Sequence, residues 1–280
     1  MTLYDDTQCN LGEGPLWHPE RGELFWFDIN KHHMHTQRRG QTFTWEFRHF
    51  VSAAGWVDRD TLLIASDTAL FTFNLVTGDR EQITPLEADI PGTRANDGRA
   101  DPQGGFWIGT MSCTKERGAG AYYRYYRGEL RQLWGNWTIP NATCFSPDGT
   151  TAWIADTPEG KIWRVALDEH GWPKGEPELW RNMPAESYRP DGAVCDAQGN
   201  LWIAHYGHAK VTVHAPDGTE LRSLPVPGKN TTCPAFGGED LNQLYVTTAI
   251  QNDPAPAPED GCTYLLDPEA TGQAEHRVIL

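Results

Sequence analysis

The stretch Arg94–Met111, with the sequence RANDGRADPQGGFWIGTM, contains the pattern that predicts the fold of this chain. Asn96 stands five residues before the turn Asp101-Pro102, and glycines then lead into the aromatic segment Phe106-Trp107-Ile108. Asp, Pro and Gly favour tight turns, whereas aromatic and β-branched residues favour strands. The stretch therefore predicts two short strands joined by a turn, with Asn96 early in the first strand.

The same pattern recurs three more times along the chain. Three polar residues each precede a comparable turn by five residues: Glu13 before His18-Pro19, Asn141 before Ser146-Pro147, and Asp191 before Asp196-Ala197. Strand markers, including weaker equivalents in two further units, are 38 to 49 residues apart: Trp26, Ile64, Trp107, Trp153, Trp202 and Tyr245. Repeats of about 40–50 residues with about four strands each are typical of propeller blades.

We therefore predict an all-β fold, a six-bladed β-propeller formed as a single domain by residues 1–280. No capped amphipathic helix of three turns is evident in the sequence. The ring must close, and we expect a strand near Thr2–Thr7 or Arg277–Leu280 to complete the terminal blade.

Composition excludes several classes of partner. The net charge of −15 argues against nucleic acid and anionic membranes, which both require a basic surface. No apolar run approaches the roughly 20 residues of a membrane span, and the first residues lack the features of a signal peptide. The six cysteines form no CxxC pair, so we expect buried, reduced thiols in a cytoplasmic protein.

Residues in one phase of a circular repeat lie at one height and radius, so these four polar side chains are predicted to converge on the axis. Ala53 occupies the same phase in the second unit, and Thr231 or Thr232 does so in the sixth. Two carboxylates held together near an axis are costly unless a cation offsets their charge. Carboxylate and amide oxygens suit Ca, Mg or Mn, and the sequence leaves Zn and Fe(II) open as well.

Several segments, in the same order over nearly the full length, resemble those of the gluconolactonase and senescence-marker-protein (regucalcin) family. They are Leu11-Gly-Glu-Gly-Pro-Leu-Trp17, Arg94-Ala-Asn-Asp-Gly98, Gly109-Thr-Met111, Pro140-Asn-Ala-Thr143, Arg189-Pro-Asp-Gly-Ala193 and Ala235-Phe-Gly-Gly238. The resemblance implies a six-bladed propeller that binds one divalent metal ion in its channel and hydrolyses sugar lactones.

Matched motif by motif, the resemblance makes Glu13, Asn141 and Asp191 the metal ligands. Arg94 and Asn96 are then expected to bind hydroxyl and carboxyl oxygens of the substrate, a small sugar lactone. Asp191 is also our candidate for the general base, because a carboxylate next to the attacking water can take its proton. Asp97 is expected to accept backbone N–H bonds instead of contacting the ligand.

Other interpretations stay open from the sequence. Asp191 in Pro-Asp-Gly is an ordinary β-turn residue when taken alone, as Asp148 and Asp217 are expected to be. The same metal site also suits hydrolysis of organophosphates or aryl esters, and a non-enzymatic calcium-binding propeller is a further alternative. No G-x-S-x-G elbow, P-loop or dinucleotide fingerprint supports another enzyme class.

The loop from Ser112 to Gly120 departs from the family pattern. The family often has an acidic or amide side chain after Gly-Thr-Met, whereas Ser112-Cys-Thr114 follows here and Lys115 lies out of register. We therefore expect this loop to shape a different pocket. Two groups of histidines, His32, His33 and His35, and His205 and His208, are expected to be exposed on outer hairpins.

Overall fold

Blades of four antiparallel strands account for almost all regular structure in this computed structural model, which describes residues 1–184 and 188–280. Within those residues, twenty-four strands form six four-stranded sheets, and the one helical segment is a short 3-10 turn, Thr157–Glu159. The predicted all-β, six-bladed β-propeller is thus confirmed. None of the helical segments in the described residues is long and apolar enough to cross a bilayer.

The strands are numbered in chain order. They are β1 Thr2–Asp5, β2 Gly12–His18, β3 Glu23–Asp28, β4 His33–Arg38, β5 Gln41–Glu46, β6 Val51–Asp58, β7 Thr61–Ser66, β8 Ala69–Asn74, β9 Arg80–Pro85, β10 Thr93–Ala100, β11 Phe106–Ser112, β12 Gly120–Tyr126, β13 Glu129–Trp137, β14 Pro140–Phe145, β15 Thr151–Asp156, β16 Lys161–Ala166, β17 Glu178–Asn182, β18 Pro190–Cys195, β19 Leu201–His205, β20 Lys210–His214, β21 Glu220–Pro225, β22 Asn230–Gly237, β23 Gln243–Ala249 and β24 Thr263–Leu266.

The first five blades take four consecutive strands each, from β2–β5 to β18–β21, and the sixth is closed by the N-terminal strand. Its order is β1-β24-β23-β22, with Leu3 paired antiparallel to Tyr264. Blades one and six also meet through Trp17 and Tyr245, whose rings stack with centroids 5.6 Å apart. Of the two segments proposed for closure, Thr2–Asp5 is therefore the correct one.

Burial decreases from the centre of the propeller to its rim. The innermost strand of each blade is almost completely buried, as in β14 and β22. Among the outermost strands, β5 is mostly exposed, and β21 alternates between exposed and partly buried residues. Apolar side chains fill the spaces between neighbouring blades, and one cluster joins residues of blades one and two. Burial of this apolar surface is the main source of stability.

The C-terminal segment covers the end of the channel opposite the starts of the inner strands. Gln273 donates hydrogen bonds to the carbonyls of Phe145 and Cys195 near the ends of two inner strands, both at 3.1 Å. Glu275 forms a buried ion pair with Arg99. Residues 277–280 are not a strand, so the prediction that they could complete a blade was wrong: the edge was already occupied by β1.

Two expectations about individual side chains need correction. His35 on β4 and His205 on β19 are buried, at 2% and 0% exposed, because both lie in strands that pack against neighbouring blades. Among the described residues no disulfide forms, and five cysteines are buried as expected. Cys113, however, is exposed on the loop after β11.

Candidate functional site

The inner strands are irregular at the repeat position identified from the sequence. In β2, the pairing with β3 shifts between Glu13 and Leu16. Over this interval the chain advances three residues on β2 but only two on β3. Equivalent shifts occur between Asn141 and Cys144, and between Pro190 and Ala193. A bulge of this kind re-aims the side chain it carries. The repeated polar residues therefore lie at bulges and point out of the regular ladder.

All five residues predicted for the site line one cavity of about 300 Å³ at the starts of the inner strands: Glu13, Arg94, Asn96, Asn141 and Asp191. Ala53, Thr231 and Thr232 are not among the residues that line it. The two threonines donate to backbone carbonyls, Thr231 to Gly228 and Thr232 to Gly12. Blades two and six therefore contribute no residue of this repeat position to the cavity wall.

The two carboxylates of the cavity are almost fully buried and have few partners. Glu13 is 6% exposed, and its only hydrogen bond within the described residues comes from the backbone N–H of Gly14 at 3.1 Å. Asp191 is 5% exposed and accepts no hydrogen bond from a described residue. Buried carboxylates normally have such partners. The arrangement leaves three or more oxygen lone-pair positions directed to the cavity.

The electrostatic environment penalises ionisation of both groups. Burial raises the pKa of Glu13 to about 8, and the negative charge of Asp97 acts in the same direction. Burial also raises the pKa of Asp191 well above its ordinary range, with the charges of Glu13 and Asp97 adding to the effect. A bound cation would remove this penalty.

A chain of hydrogen bonds connects the polar residues across blades three to five. Arg94 donates to Oδ1 of Asn96 at 2.9 Å, and Nδ2 of Asn96 donates to Oδ1 of Asn141 at 3.1 Å. Nδ2 of Asn141 donates to Oγ1 of Thr157 at 2.7 Å, and this hydroxyl donates to the Pro190 carbonyl at 2.7 Å. The network holds the amide oxygen of Asn141 towards the cavity.

Asp97 has the structural role expected from the sequence. Its Oδ2 accepts a hydrogen bond from the backbone N–H of Thr143 at 2.7 Å, which joins blade three to blade four. Asp97 does not line the cavity, although its charge reaches both cavity carboxylates.

The donor set of the cavity fits a hard divalent cation. It consists of two carboxylates, which together accept one hydrogen bond from the described residues, and an oriented amide oxygen. Ca, Mg and Mn accept ligands of these types. In the described part of the chain, no group of three or more His, Cys, Asp or Glu side chains is arranged to hold a metal ion. Any cation site here therefore depends on the Asn141 amide and on ligands from outside the protein.

Sequence reasoning missed several cavity residues that come from loops. They are Lys115, Thr157, Tyr188, Arg189, Tyr206, Gln251 and Asn252. These residues have no common phase in the repeat, so periodicity could not reveal them. The sequence placed Lys115 in the altered loop from Ser112 to Gly120 but gave it no role. This loop contributes Lys115 to the cavity wall.

Comparison with known proteins agrees with this architecture. Residues 11–250 match the family described as SMP-30/Gluconolactonase/LRE-like region. The chain is 32% identical over 275 residues to the 6-deoxy-6-sulfogluconolactonase of Pseudomonas putida, with 95% of this chain and 94% of that protein covered. It is also 32% identical over 287 residues to a pentonolactonase of Haloferax volcanii, with 99% and 97% covered.

A solved structure gives the same result for the fold. The crystal structure described as a calcium-binding protein, regucalcin, from Agrobacterium tumefaciens superposes with a TM-score of 0.97 at 38% sequence identity, covering 99% of this chain and 97% of that one. The family match spans most of the chain and includes all five site residues predicted from the sequence. The chain therefore belongs to the SMP-30/gluconolactonase/LRE-like family.

Proposed function

We propose that this protein is a metal-dependent hydrolase of sugar lactones. The observation that carries the proposal is the pair of buried carboxylates, Glu13 and Asp191, which share a cavity with the Asn141 amide and Arg94. Relatives that align over nearly the whole chain are named as lactonases of sugar acids, which supports the same reaction class.

In this proposal Glu13, Asn141 and Asp191 would hold one divalent ion. The Agrobacterium protein is described as calcium-binding, which supports a bound cation, while the oxygen donors alone suit Ca, Mg, Mn, Zn or Fe(II). When bound, such an ion supplies Lewis-acid polarisation of a carbonyl and makes water more acidic.

Asp191 is the proposed general base. Its carboxylate accepts no hydrogen bond from the described residues, so its lone pairs are available to the proton of an attacking water. Water adds to the lactone carbonyl carbon and the ring C–O bond breaks. The proton taken by Asp191 then passes to the leaving ring oxygen, giving a hydroxy acid.

Arg94 is the proposed anchor for substrate oxygens. It is buried and donates to the Ala95 carbonyl and to Asn96, but forms no salt bridge with a described residue. Its positive charge is therefore available to the carboxylate of the opened product. Asn96 orients both Arg94 and Asn141, in addition to the substrate contact proposed for it.

Lactone hydrolysis should be tested with a pH-indicator assay on a panel of aldonolactones, using metal-stripped protein and protein resupplied with each of the five ions. We expect metal-dependent acid release that Asp191→Ala lowers by about a hundredfold or more. Asp191→Ala and Glu13→Ala should also lose tight metal binding in calorimetric titration, because each removes a charged oxygen ligand.

Asp217→Ala is a matched control, since Asp217 is an exposed aspartate in the same Pro-Asp-Gly tripeptide. This variant should retain both activity and metal affinity. Wild-type metal affinity in both Asp191→Ala and Glu13→Ala would refute the proposed site. Tight metal binding without hydrolysis of any lactone would instead favour an ester substrate or a binding function.

A further inference from the structure

The cavity has an excess of positive charge in a strongly acidic protein. Its lining includes Arg94, Lys115 and Arg189, against the two carboxylates Glu13 and Asp191. The chain as a whole has a net charge of −15. A neutral sugar lactone needs no such excess, whereas an anionic ligand would otherwise be repelled by the protein's field.

The three cations of the cavity have no close ion-pair partner among the residues that the structure describes. None of them forms a salt bridge with a described residue, whereas arginines elsewhere, such as Arg99 and Arg124, are paired with buried carboxylates. Arg94 is buried deep in the cavity, while Lys115 and Arg189 are exposed at its mouth. The cavity therefore presents positive charge at two depths.

Lys115 is held at the mouth by a well-bonded loop. Its backbone N–H donates to the Ser112 carbonyl at 2.9 Å, and its φ of 59° fixes the turn. Two further contacts attach the same loop to its surroundings: Cys113 N–H donates to the Gly92 carbonyl, and Gly118 N–H donates to the Thr138 hydroxyl. The lysine therefore starts from an ordered backbone position.

Arg189 approaches the cavity from a different blade. It lies just before β18, and its carbonyl accepts a hydrogen bond from the backbone N–H of Tyr206 at 3.0 Å. Arg189 lines the cavity two residues before Asp191, which lines it as well. Its side chain therefore borders the same cavity as the proposed metal ligands.

We infer that the preferred substrate is a lactone carrying a second anionic group, such as a terminal carboxylate, sulfonate or phosphate, which Lys115 and Arg189 bind at the mouth. This inference rests on the proposed lactonase function and specifies its substrate class. Water adds across the ring ester bond and the second acid group is unchanged, so the open-chain product carries a new carboxylate in addition to that group. Lys115 and Arg189 are specificity-determining residues in this scheme.

A matched pair of substrates tests the inference: the five-membered-ring lactones of gluconic and glucaric acid, which differ at the terminal carbon. We expect kcat/KM for the glucaric lactone to be about tenfold higher at low salt, and the preference to shrink as salt screens the exposed cations. Lys115→Met and Arg189→Met should each lower kcat/KM for the glucaric lactone by about threefold to tenfold. Both should change kcat/KM for the gluconic lactone by less than about twofold.

Lys174→Met is the control, because it removes one exposed positive charge away from the cavity. Lys115→Arg and Arg189→Lys keep the charge and should retain most of the preference. Equal kcat/KM for the two lactones in the wild type, or equal losses for both lactones in the Met variants, would overturn the inference.

Calorimetric binding of open-chain glucarate and gluconate separates this inference from the proposed function. Stronger binding of the glucarate dianion, weakened in Lys115→Met and Arg189→Met, supports the anion site even if neither lactone is hydrolysed. In that case the hydrolase proposal alone fails. Equal affinity for the two acids in wild-type protein refutes the anion site, whatever the activity.

Discussion

At the residue scale, the hydroxyl of Thr157 links two strands that carry proposed cation ligands. It accepts a hydrogen bond from the Asn141 amide and donates one to the carbonyl of Pro190, the residue before Asp191. Outer-sphere contacts of this kind fix the orientation of metal-binding groups. Thr157 is therefore a positioning residue for the amide oxygen of Asn141.

We expect Thr157→Val to weaken metal affinity by about tenfold, because the Asn141 amide loses the acceptor that orients it. Thr157→Ser keeps the hydroxyl and should restore the affinity. Calorimetric titration with calcium and manganese measures the effect, and thermal unfolding without metal checks the fold. A Val variant with wild-type affinity would show that the hydroxyl is only structural.

At the scale of the element, the turn after each inner strand explains part of the sequence repeat. Oδ2 of Asp101 accepts a hydrogen bond from the Trp107 indole at 3.1 Å, and Oδ1 accepts bonds from turn N–H groups. Asp196 makes the same set of bonds, with Trp202 as the indole donor at 3.0 Å. An aspartate six residues before a tryptophan thus joins the turn to the following strand.

Asp101 differs from Asp196 in having an arginine partner, whereas Asp196 accepts an additional hydrogen bond from the Asn200 side chain at 3.0 Å. Asp101 pairs with Arg124 at 2.6 Å, and both side chains are completely buried. Asp101→Ala should therefore lower the free energy of unfolding by about 3–5 kcal/mol, because it leaves a buried charge without its partner. Asp196→Ala loses hydrogen bonds only and should cost about 1–3 kcal/mol. Equal losses in urea unfolding would contradict this account.

At the scale of the whole molecule, packing between sheets keeps several histidines neutral. Burial lowers the pKa of His35 to about 4 and that of His214 to about 4. An unfolded histidine has a pKa of about 6.5, so between pH 6.5 and 4 the unfolded chain binds protons that the folded protein does not. Stability is therefore lost as the pH falls through this window, and neither group contributes to pH dependence above it.

Each such histidine should add up to about 1.4 kcal/mol per pH unit to the loss of unfolding free energy in that window. Urea unfolding at pH 7, 6 and 5 measures the slope for the wild type and for His214→Gln, and carboxyl groups common to both cancel in the difference. The variant should have the shallower slope. Identical slopes would mean that the imidazole of His214 is protonated equally in both states.

A feature of this protein could be predicted from sequence when residues close together in the chain determine it. Glu13, Asn141 and Asp191 could be placed in one cavity because the three inner strands that carry them repeat the same bulge at the same distance from the turn. Lys115 and Arg189 could not, because they lie on loops whose lengths differ from blade to blade. The roles of all these residues stay predictions until the experiments above are done.

The periodicity of strands, turns and polar positions was determined by the sequence alone, since turn chemistry and strand propensity act over a few residues. Which segment closed the ring was decided only by the tertiary structure, because Leu3 and Tyr264 are distant in sequence and meet only after the blades assemble. Burial of His35 and His205 was decided in the same way. It arises from packing between sheets, which no local pattern records.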